Sequence, residues 1–251
     1  VKRDGWAIEC RINAEDPFRN FLPSTGRLVR FAPPAQTMHQ ANVTDWYGVR
    51  VDTGVQDGGE IPMYYDSMIA KLIVHGKDRN DAIAKMREAL NGFVIRGVSS
   101  NIPFQAALLA HPKFVAGNFN TGFIAEHYAK GFKAEDVPHD DSSFLVALAA
   151  FVRRKSRERA TGITGQLPGY AVQAGSDYVV ITLDAGGEHV YTPVNVTEIE
   201  GKSGSSRIKI GQECYDICSN SRLNDVVITG TVNGQPFTAQ VERGANNVAI
   251  K

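Results

Sequence analysis

Apolar and polar residues alternate along the first stretch of the chain. Between residues 6 and 12 every second residue is apolar, and the polar residues Glu9 and Arg11, followed by Asn13, fall on the opposite side. A period of two predicts a β-strand with one buried face and one polar face. The polar face therefore places a carboxylate, a guanidinium and an amide in one row.

The rest of the first half predicts further antiparallel strands and then helices. Short alternating runs separated by glycine and proline turns predict strands at 26–31, 47–52 and 68–75, with a polar loop at 35–45. Apolar residues at helical spacing then predict three helices, which begin after Asp78 or Asn80, after Asn101, and near Thr121, the last reaching Lys130.

A polar linker at 133–141 separates a second half of different character. Ser142 or Ser143 can cap a long helix that is apolar nearly all round as far as Val152, so we expect it to be buried on most sides. The basic run at 153–159 is interpreted as a solvated helix end, with a phosphate-binding patch as the alternative.

Everything after this helix predicts β-structure. Tight turns such as Asn233-Gly234 separate short strands, and Cys214 and Cys218 fall in another probable strand. The fold class is therefore α+β: an antiparallel sheet with helices over 1–135, then a long helix wrapped by an antiparallel barrel-like sheet over 136–251. The strands are predicted at 171–173, 178–183, 189–196, 206–210, 226–232, 236–241 and 247–250.

Composition excludes several classes of function. The chain has 251 residues with 27 Lys+Arg and 27 Asp+Glu, so its formal net charge of zero predicts neither nucleic acid nor an anionic membrane as a partner. Three cysteines favour a reducing compartment, and Cys214 and Cys218 lack a matching His or Cys pair, so no metal site is predicted. The absence of an initiator Met and the strand-like ends indicate a fragment of a longer polypeptide.

Three separated motifs resemble one enzyme family. ECRINAEDP from Glu9, FLPSTGRLVRF from Phe21 and PMYYDSMIAKLIVHG from Pro62 follow one another as in the carboxyl-terminal lobe of biotin carboxylase, and the likeness continues to about Lys130. The remaining residues resemble the tethering (BT) domain that follows this lobe in the α subunit of propionyl-CoA carboxylase. The resemblance implies a biotin-dependent carboxylase, which is a ligase. This chain is then part of the enzyme and is not expected to be active alone.

The resemblance also implies a site. Biotin carboxylases use Mg²⁺, ATP and bicarbonate to carboxylate the biotin ring, and a fixed cation stabilises negative charge on its ureido oxygen. That cation corresponds to Arg11, with Asp66 as its orienting partner and Glu9 and Asn13 as supporting residues. Phe123 falls where the lobe contacts the adenine of ATP. The loop over the phosphates and the metal-binding carboxylates have no counterpart in this sequence.

Other interpretations of the same residues remain open. The row of charges on the first strand is also what a structural salt bridge looks like. The chain is alternatively part of a methylcrotonyl-CoA or other acyl-CoA carboxylase α subunit, or a non-catalytic binding module. The implied partners are a carboxyltransferase β subunit in a hetero-oligomer, the biotin carboxyl carrier domain of the full-length chain, and bicarbonate. The expected location is the cytoplasm, or the mitochondrial matrix in a eukaryote.

Overall fold

The computed structural model describes most of the chain in two compact units. The units comprise residues 1–138 and 139–251. Most of the predicted loop 35–45, Tyr47 of a predicted strand, and residues 171–172 lie outside the described residues. The residues that the structure describes are 4–37, 48–64, 66–138, 141–167, 169, 173–184, 186–202, 204–244 and 247–250.

In the described residues, the first unit combines a small antiparallel sheet with four helices. Three strands form its main sheet in the order β1-β8-β6, and three two-stranded ribbons pair β2 with β3, β4 with β7, and β5 with β9. Two short 3₁₀ turns lie at Pro17–Arg19 and Ala134–Asp136. The elements are β1 (Trp6–Asn13), β2 (Glu15–Asp16), β3 (Leu22–Pro23), β4 (Gly26–Arg27), β5 (Arg30–Ala32), β6 (Gly48–Thr53), β7 (Glu60–Ile61), β8 (Met68–Gly76), α1 (Arg79–Asn91), β9 (Val94–Arg96), α2 (Ile102–Ala110), α3 (Pro112–Val115) and α4 (Phe123–His127).

Helix α1 covers the apolar face of this sheet. The carboxylate of Asp78 accepts a hydrogen bond from the Asp81 N–H and caps the helix, as predicted. The helix packs on β1 and β8, and both sides of the interface are closed to water. The buried side chains are Cys10 and Ile12 of β1, Leu72 and Val74 of β8, and Ala82, Ile83, Met86, Ala89 and Leu90 of α1.

The third predicted helix is much shorter than expected. A helix was predicted from Thr121 to Lys130, but α4 has only five residues. The Asn120 Oδ1 accepts from the Gly122 N–H at 2.7 Å, which holds the preceding residues in a turn. At the other end Tyr128 leaves the helical region with φ −126° and ψ 32°.

Where the structure describes it, the second unit is one long helix surrounded by a seven-stranded antiparallel sheet. Helix α5 (Ser142–Thr161) contacts strands near both ends of the sheet, so the sheet curls around it. The strands pair in the order in which they occur in the chain, which confirms the predicted α+β class. They are β10 (Asp177–Leu183), β11 (His189–Glu198), β12 (Ser205–Ile210), β13 (Glu213–Cys218), β14 (Val227–Val232), β15 (Gln235–Arg243) and β16 (Val248–Ile250).

Two details of α5 differ from the prediction. The N-cap is Asp141, rather than Ser142 or Ser143, because its carboxylate accepts the Phe144 N–H at 2.9 Å. The basic end of the helix is also not simply solvated. Arg154 binds Glu158 and Glu198 and donates to two backbone carbonyls, and Lys155 donates to the Ser219 carbonyl. No helix in the described part of the chain is both long and apolar enough to cross a membrane.

Candidate functional site

The polar face of the β1-β8-β6 sheet carries the predicted site. Arg11 on β1 lies opposite Lys71 on β8, which in turn lies opposite Asp52 on β6. Directly paired residues of antiparallel strands share a face, so these three side chains project on the same side. The sheet therefore presents a row of charges on the face opposite its apolar core.

Arg11 is exposed, and its ion pair is a weak one. Its Nε lies 3.6 Å from the Glu9 Oε1, and the two side chains are 68% and 43% exposed. An exposed pair of this kind contributes about 0–1 kcal/mol to stability, because water and salt screen it. A purely structural salt bridge therefore gives little reason for an arginine at this position.

The backbone of Arg11, by contrast, is held firmly. The amide nitrogens of two side chains, Asn101 Nδ2 and Gln105 Nε2, donate to the Arg11 carbonyl at 3.0 and 3.1 Å. Asn101 also accepts the Asn13 N–H through its Oδ1 at 3.0 Å and donates its own N–H to the Asn13 carbonyl. The guanidinium thus extends into solvent from a strand that is fixed along both edges.

Asn13 belongs to a separate polar network at the end of β1. Its Nδ2 donates to Glu15 Oε1 at 3.1 Å, and the same carboxylate oxygen accepts from the Ser67 hydroxyl at 2.5 Å. The Asn13 Oδ1 is buried without a hydrogen-bond partner among the described residues. This network joins β1 to the turn before β8, so Asn13 supports the local fold and does not contact Arg11 through it.

The structure does not bring Asp66 to Arg11 as predicted. Asp66 is exposed in the turn before β8, and its Oδ1 accepts the Met68 N–H at 3.1 Å, which closes that turn. Within the described residues, no hydrogen bond or ion pair joins Asp66 to Arg11. The carboxylate beside Arg11 is Glu9, because residues two apart on a strand share a face.

Phe123 lies inside a cluster of aromatic rings. Only 5% of it is exposed, and its ring lies 4.8 Å from His111 and 4.5 Å from His127, with Phe119 farther out at 6.4 Å. The pKa of His111 is lowered by its burial and, to a smaller extent, by its neighbours His127 and Lys113. The Phe123 ring therefore has little exposed surface for a contact with a nucleotide base.

On the face of β1 opposite Arg11 lies Cys10, whose side chain is buried. Burial, assisted by the charge of Glu9, raises the pKa of the Cys10 thiol to about 12. The thiol stays neutral and packs as an apolar group. In the described part of the chain, no group of three or more metal-ligating side chains comes together.

Sequence reasoning missed two members of this site. Asn101 was predicted as a helix cap, but its side chain makes no cap hydrogen bond and binds β1 instead. Lys71 lies within the predicted strand 68–75, and its sequence position alone does not assign it to the site. Its position opposite Arg11 follows from the strand register, which the alternation of residues alone does not give.

Two family models together match most of the chain. Residues 9–126 match the biotin carboxylase C-terminal domain, and residues 145–251 match the propionyl-coenzyme A carboxylase BT domain. The chain therefore belongs to the biotin carboxylase family and carries, after the carboxyl-terminal lobe of that enzyme, a BT domain of the propionyl-CoA carboxylase type.

Individual relatives agree with this assignment. A propionyl-CoA carboxylase alpha chain of Ruegeria pomeroyi is 44% identical over 190 residues, which cover 72% of this chain and 28% of that one. The mitochondrial alpha chain of Caenorhabditis briggsae is 34% identical over 248 residues, 96% of this chain and 32% of that one. Biotin carboxylase 1 of Bacillus subtilis is 49% identical over 131 residues, 52% and 27% respectively. The chain thus spans less than a third of the length of these relatives.

Proposed function

We propose that this chain is part of the α subunit of a biotin-dependent acyl-CoA carboxylase of the propionyl-CoA type. It contributes one wall of the biotin carboxylation site and the domain that docks the carboxyltransferase β subunit. The observation that carries the proposal is the order of the two matched domains on one chain. The BT match favours an acyl-CoA carboxylase over a carboxylase subunit that ends after the lobe.

Arg11 is the residue to which we assign a direct part in the reaction. Its guanidinium is exposed while its backbone is fixed, so it can meet an oxyanion without reorganising the strand. When bound, biotin supplies the ring nitrogen that is carboxylated. Arg11 donates hydrogen bonds to negative charge on the ureido oxygen, and Glu9 limits the directions in which the guanidinium can point.

The other predicted site residues take lesser parts. Asp66 acts by closing the turn that leads into β8, and Asn13 acts through its network with Glu15 and Ser67. The adenine contact predicted for Phe123 would use the small part of the residue that stays exposed. Apart from Phe123, most residues that hold ATP and Mg²⁺ belong to parts of the complete α subunit that are not in this sequence, and a eukaryotic chain would act in the mitochondrial matrix.

The proposal is tested with Arg11→Ala in the complete α subunit. We expect the rate of bicarbonate-dependent carboxylation of free biotin to fall at least about a hundredfold, because the lost charge acts on the reacting group. The KM for ATP should change little, since we assign Arg11 to the biotin ring and not to the nucleotide.

A matched control lies on the same sheet face. Arg50 is 58% exposed and pairs with Asp52 two residues along its strand, just as Arg11 pairs with Glu9. Arg50→Ala should keep most of the carboxylation rate. A near-normal rate in Arg11→Ala would return Arg11 to the role of a surface ion pair and contradict the proposal.

A further inference from the structure

The first strand of the second unit forms one edge of its sheet. Among the described strands, β10 pairs with β11 alone. The Val196 N–H donates to the Ser176 carbonyl at 2.7 Å, just before β10. Hydrogen-bonded and non-hydrogen-bonded pairs alternate along an antiparallel ladder. The backbone N–H and C=O groups of Val179, Ile181 and Leu183 therefore face the open edge of the sheet.

The same three residues carry exposed apolar side chains. They alternate along β10 with partly buried residues that pack on the core of the second unit. Tyr191 of β11 lies directly opposite Ile181 and shares its face. Val179, Ile181, Leu183 and Tyr191, which we call the β10 patch, are 58%, 55%, 65% and 63% exposed. Open backbone groups and apolar side chains at one edge are the combination that an added strand requires.

The β10 edge lacks the features that usually protect an exposed strand. Charged side chains and prolines on an edge strand prevent it from pairing with another chain. Residues 178–183 contain neither, and four of the six are β-branched. An uncharged edge of this composition is suited to pairing with a further strand.

The size of the β10 patch decides between a second copy of this chain and a different subunit. Four side chains of this exposure cover on the order of 400 Å², the size of the largest apolar patch on a typical monomer. Each partner of a stable interface of standard size buries about 800 Å². Two copies that met through the β10 patch alone would therefore associate weakly. A subunit that is also held elsewhere on the second unit meets the requirement.

We infer that β10 is a docking edge for the carboxyltransferase β subunit, which places an extended apolar segment beside it. That segment pairs with the open backbone groups of Val179, Ile181 and Leu183, and its side chains cover the β10 patch. The inference rests on the proposed function, which supplies the β subunit as the partner, and it adds the strand to which that partner binds.

The first experiment measures the Kd between the complete α subunit and the β subunit by analytical ultracentrifugation. In Ile181→Lys the Kd should rise at least about tenfold, because docking would bury an unpaired charge. Ile181→Val keeps an apolar, strand-forming side chain and should bind like the parent. Thr229→Lys places the same charge on an exposed residue of β14 and should also bind like the parent.

The second experiment requires no variant, so it applies even if Ile181→Lys fails to fold. Amide deuterium exchange is followed in the parent α subunit with and without the β subunit. Exchange in the segment 177–183 should slow at least about tenfold on docking, because the outward N–H groups become hydrogen-bonded. Exchange in the β14 segment 227–232 should stay the same.

The outcomes separate this inference from the proposed function. If a folded Ile181→Lys binds like the parent, or if exchange at 177–183 is unchanged by the β subunit, the inference is wrong. The proposed docking function then still stands, provided that deletion of residues 142–251 abolishes binding. A deletion that still binds would instead refute the docking function itself.

Two further results would assign the β10 patch to another partner and overturn the inference. One is self-association of the parent α subunit that Ile181→Lys abolishes, which would make a second copy the partner. The other is a loss of free-biotin carboxylation in Ile181→Lys, which would mean that the patch serves the α subunit's own reaction.

Discussion

The backbone around Arg11 depends on one buried side chain, the amide of Asn101. The edge of β1 that β8 does not pair is bound by the side-chain oxygen and nitrogen of Asn101. The backbone N–H of Asn101 binds the same edge. A strand edge without such partners would leave backbone donors and acceptors unsatisfied. The amide therefore substitutes for a neighbouring strand at the point from which the guanidinium projects.

We predict that Asn101→Ala destabilises the first unit by about 1–3 kcal/mol, because it leaves the part-buried Asn13 N–H without a partner. The change should appear as a lower midpoint of urea unfolding with an unchanged slope. Asn118→Ala removes an exposed amide from the same unit and serves as the control. An Asn101→Ala protein that unfolds at the same urea concentration as the parent would show that the two side-chain bonds carry no net stability.

Part of this site could be predicted from the sequence, and part could not. Glu9 and Arg11 were correctly placed on one polar face, because alternation depends only on adjacent residues. The hydrogen bonds of Asn101 to Asn13 and Arg11 span 88 and 90 residues. No local pattern carries a separation of that length, so Asn101 was interpreted as a cap, the local role that asparagine most often takes.

At the scale of an element, the start of α5 is tied to the sheet by a buried tyrosine. The Tyr215 Oη lies 3.0 Å from Glu213 Oε2 and 3.2 Å from Asp141 Oδ2, and Asp141 is the N-cap of the helix. Burial, then the bond to Glu213 and the charge of Asp141, raise the pKa of Tyr215 to about 12. The folded state therefore favours the neutral phenol.

This shift predicts how stability depends on alkaline pH. The unfolded phenol has a pKa of about 10, so between about pH 10 and 12 the folded state binds more protons than the unfolded state. Stability is then fully present below about pH 10 and is lost as the pH rises through the folded pKa. Tyr215→Phe should remove this loss, measured as the change in urea midpoint across that range.

The control for this prediction is another tyrosine of the second unit. Tyr191 is 63% exposed, so Tyr191→Phe should leave the alkaline loss of stability in place. A titration of tyrosinate ultraviolet absorbance provides a direct check, since one group should ionise late in the parent and be missing in Tyr215→Phe. Parallel pH curves for the parent and Tyr215→Phe would contradict the prediction.

The elements themselves were largely predictable, whereas their attachments were not. The Asn233-Gly234 hairpin turn was predicted and is confirmed, with φ values of 49° and 83° that suit a tight turn. The basic end of α5 was interpreted as solvated, because its charges suit the helix dipole. Arg154 instead donates to the carbonyls of Ala174 and Gly175, beyond the helix, and contacts of this kind leave no trace in helical periodicity.

At the scale of the whole molecule, each unit has its own apolar core. The large cluster of the first unit includes residues of β1, β8 and α1, and a smaller one forms around Phe104 and Phe132. The cluster of the second unit consists of α5 and the strands around it. Each of these three clusters lies entirely within one unit, either residues 1–138 or residues 139–251. We therefore expect the first unit to keep its core when the second is removed.

This separation leads to the prediction that distinguishes docking from simple stabilisation. Deleting residues 142–251 from the complete α subunit removes α5 and its whole sheet but none of the residues of the first unit's core. If the BT domain docks the β subunit, carboxylation of free biotin should survive near its parent rate, and binding of the β subunit should be lost.

The first is measured as bicarbonate-dependent carboxylation of biotin, and the second by analytical ultracentrifugation of the mixed subunits. A deletion that still binds the β subunit would contradict docking by this domain. A deletion that loses carboxylation while its first unit stays folded by circular dichroism would also contradict the proposal, because the second unit would then take part in the reaction.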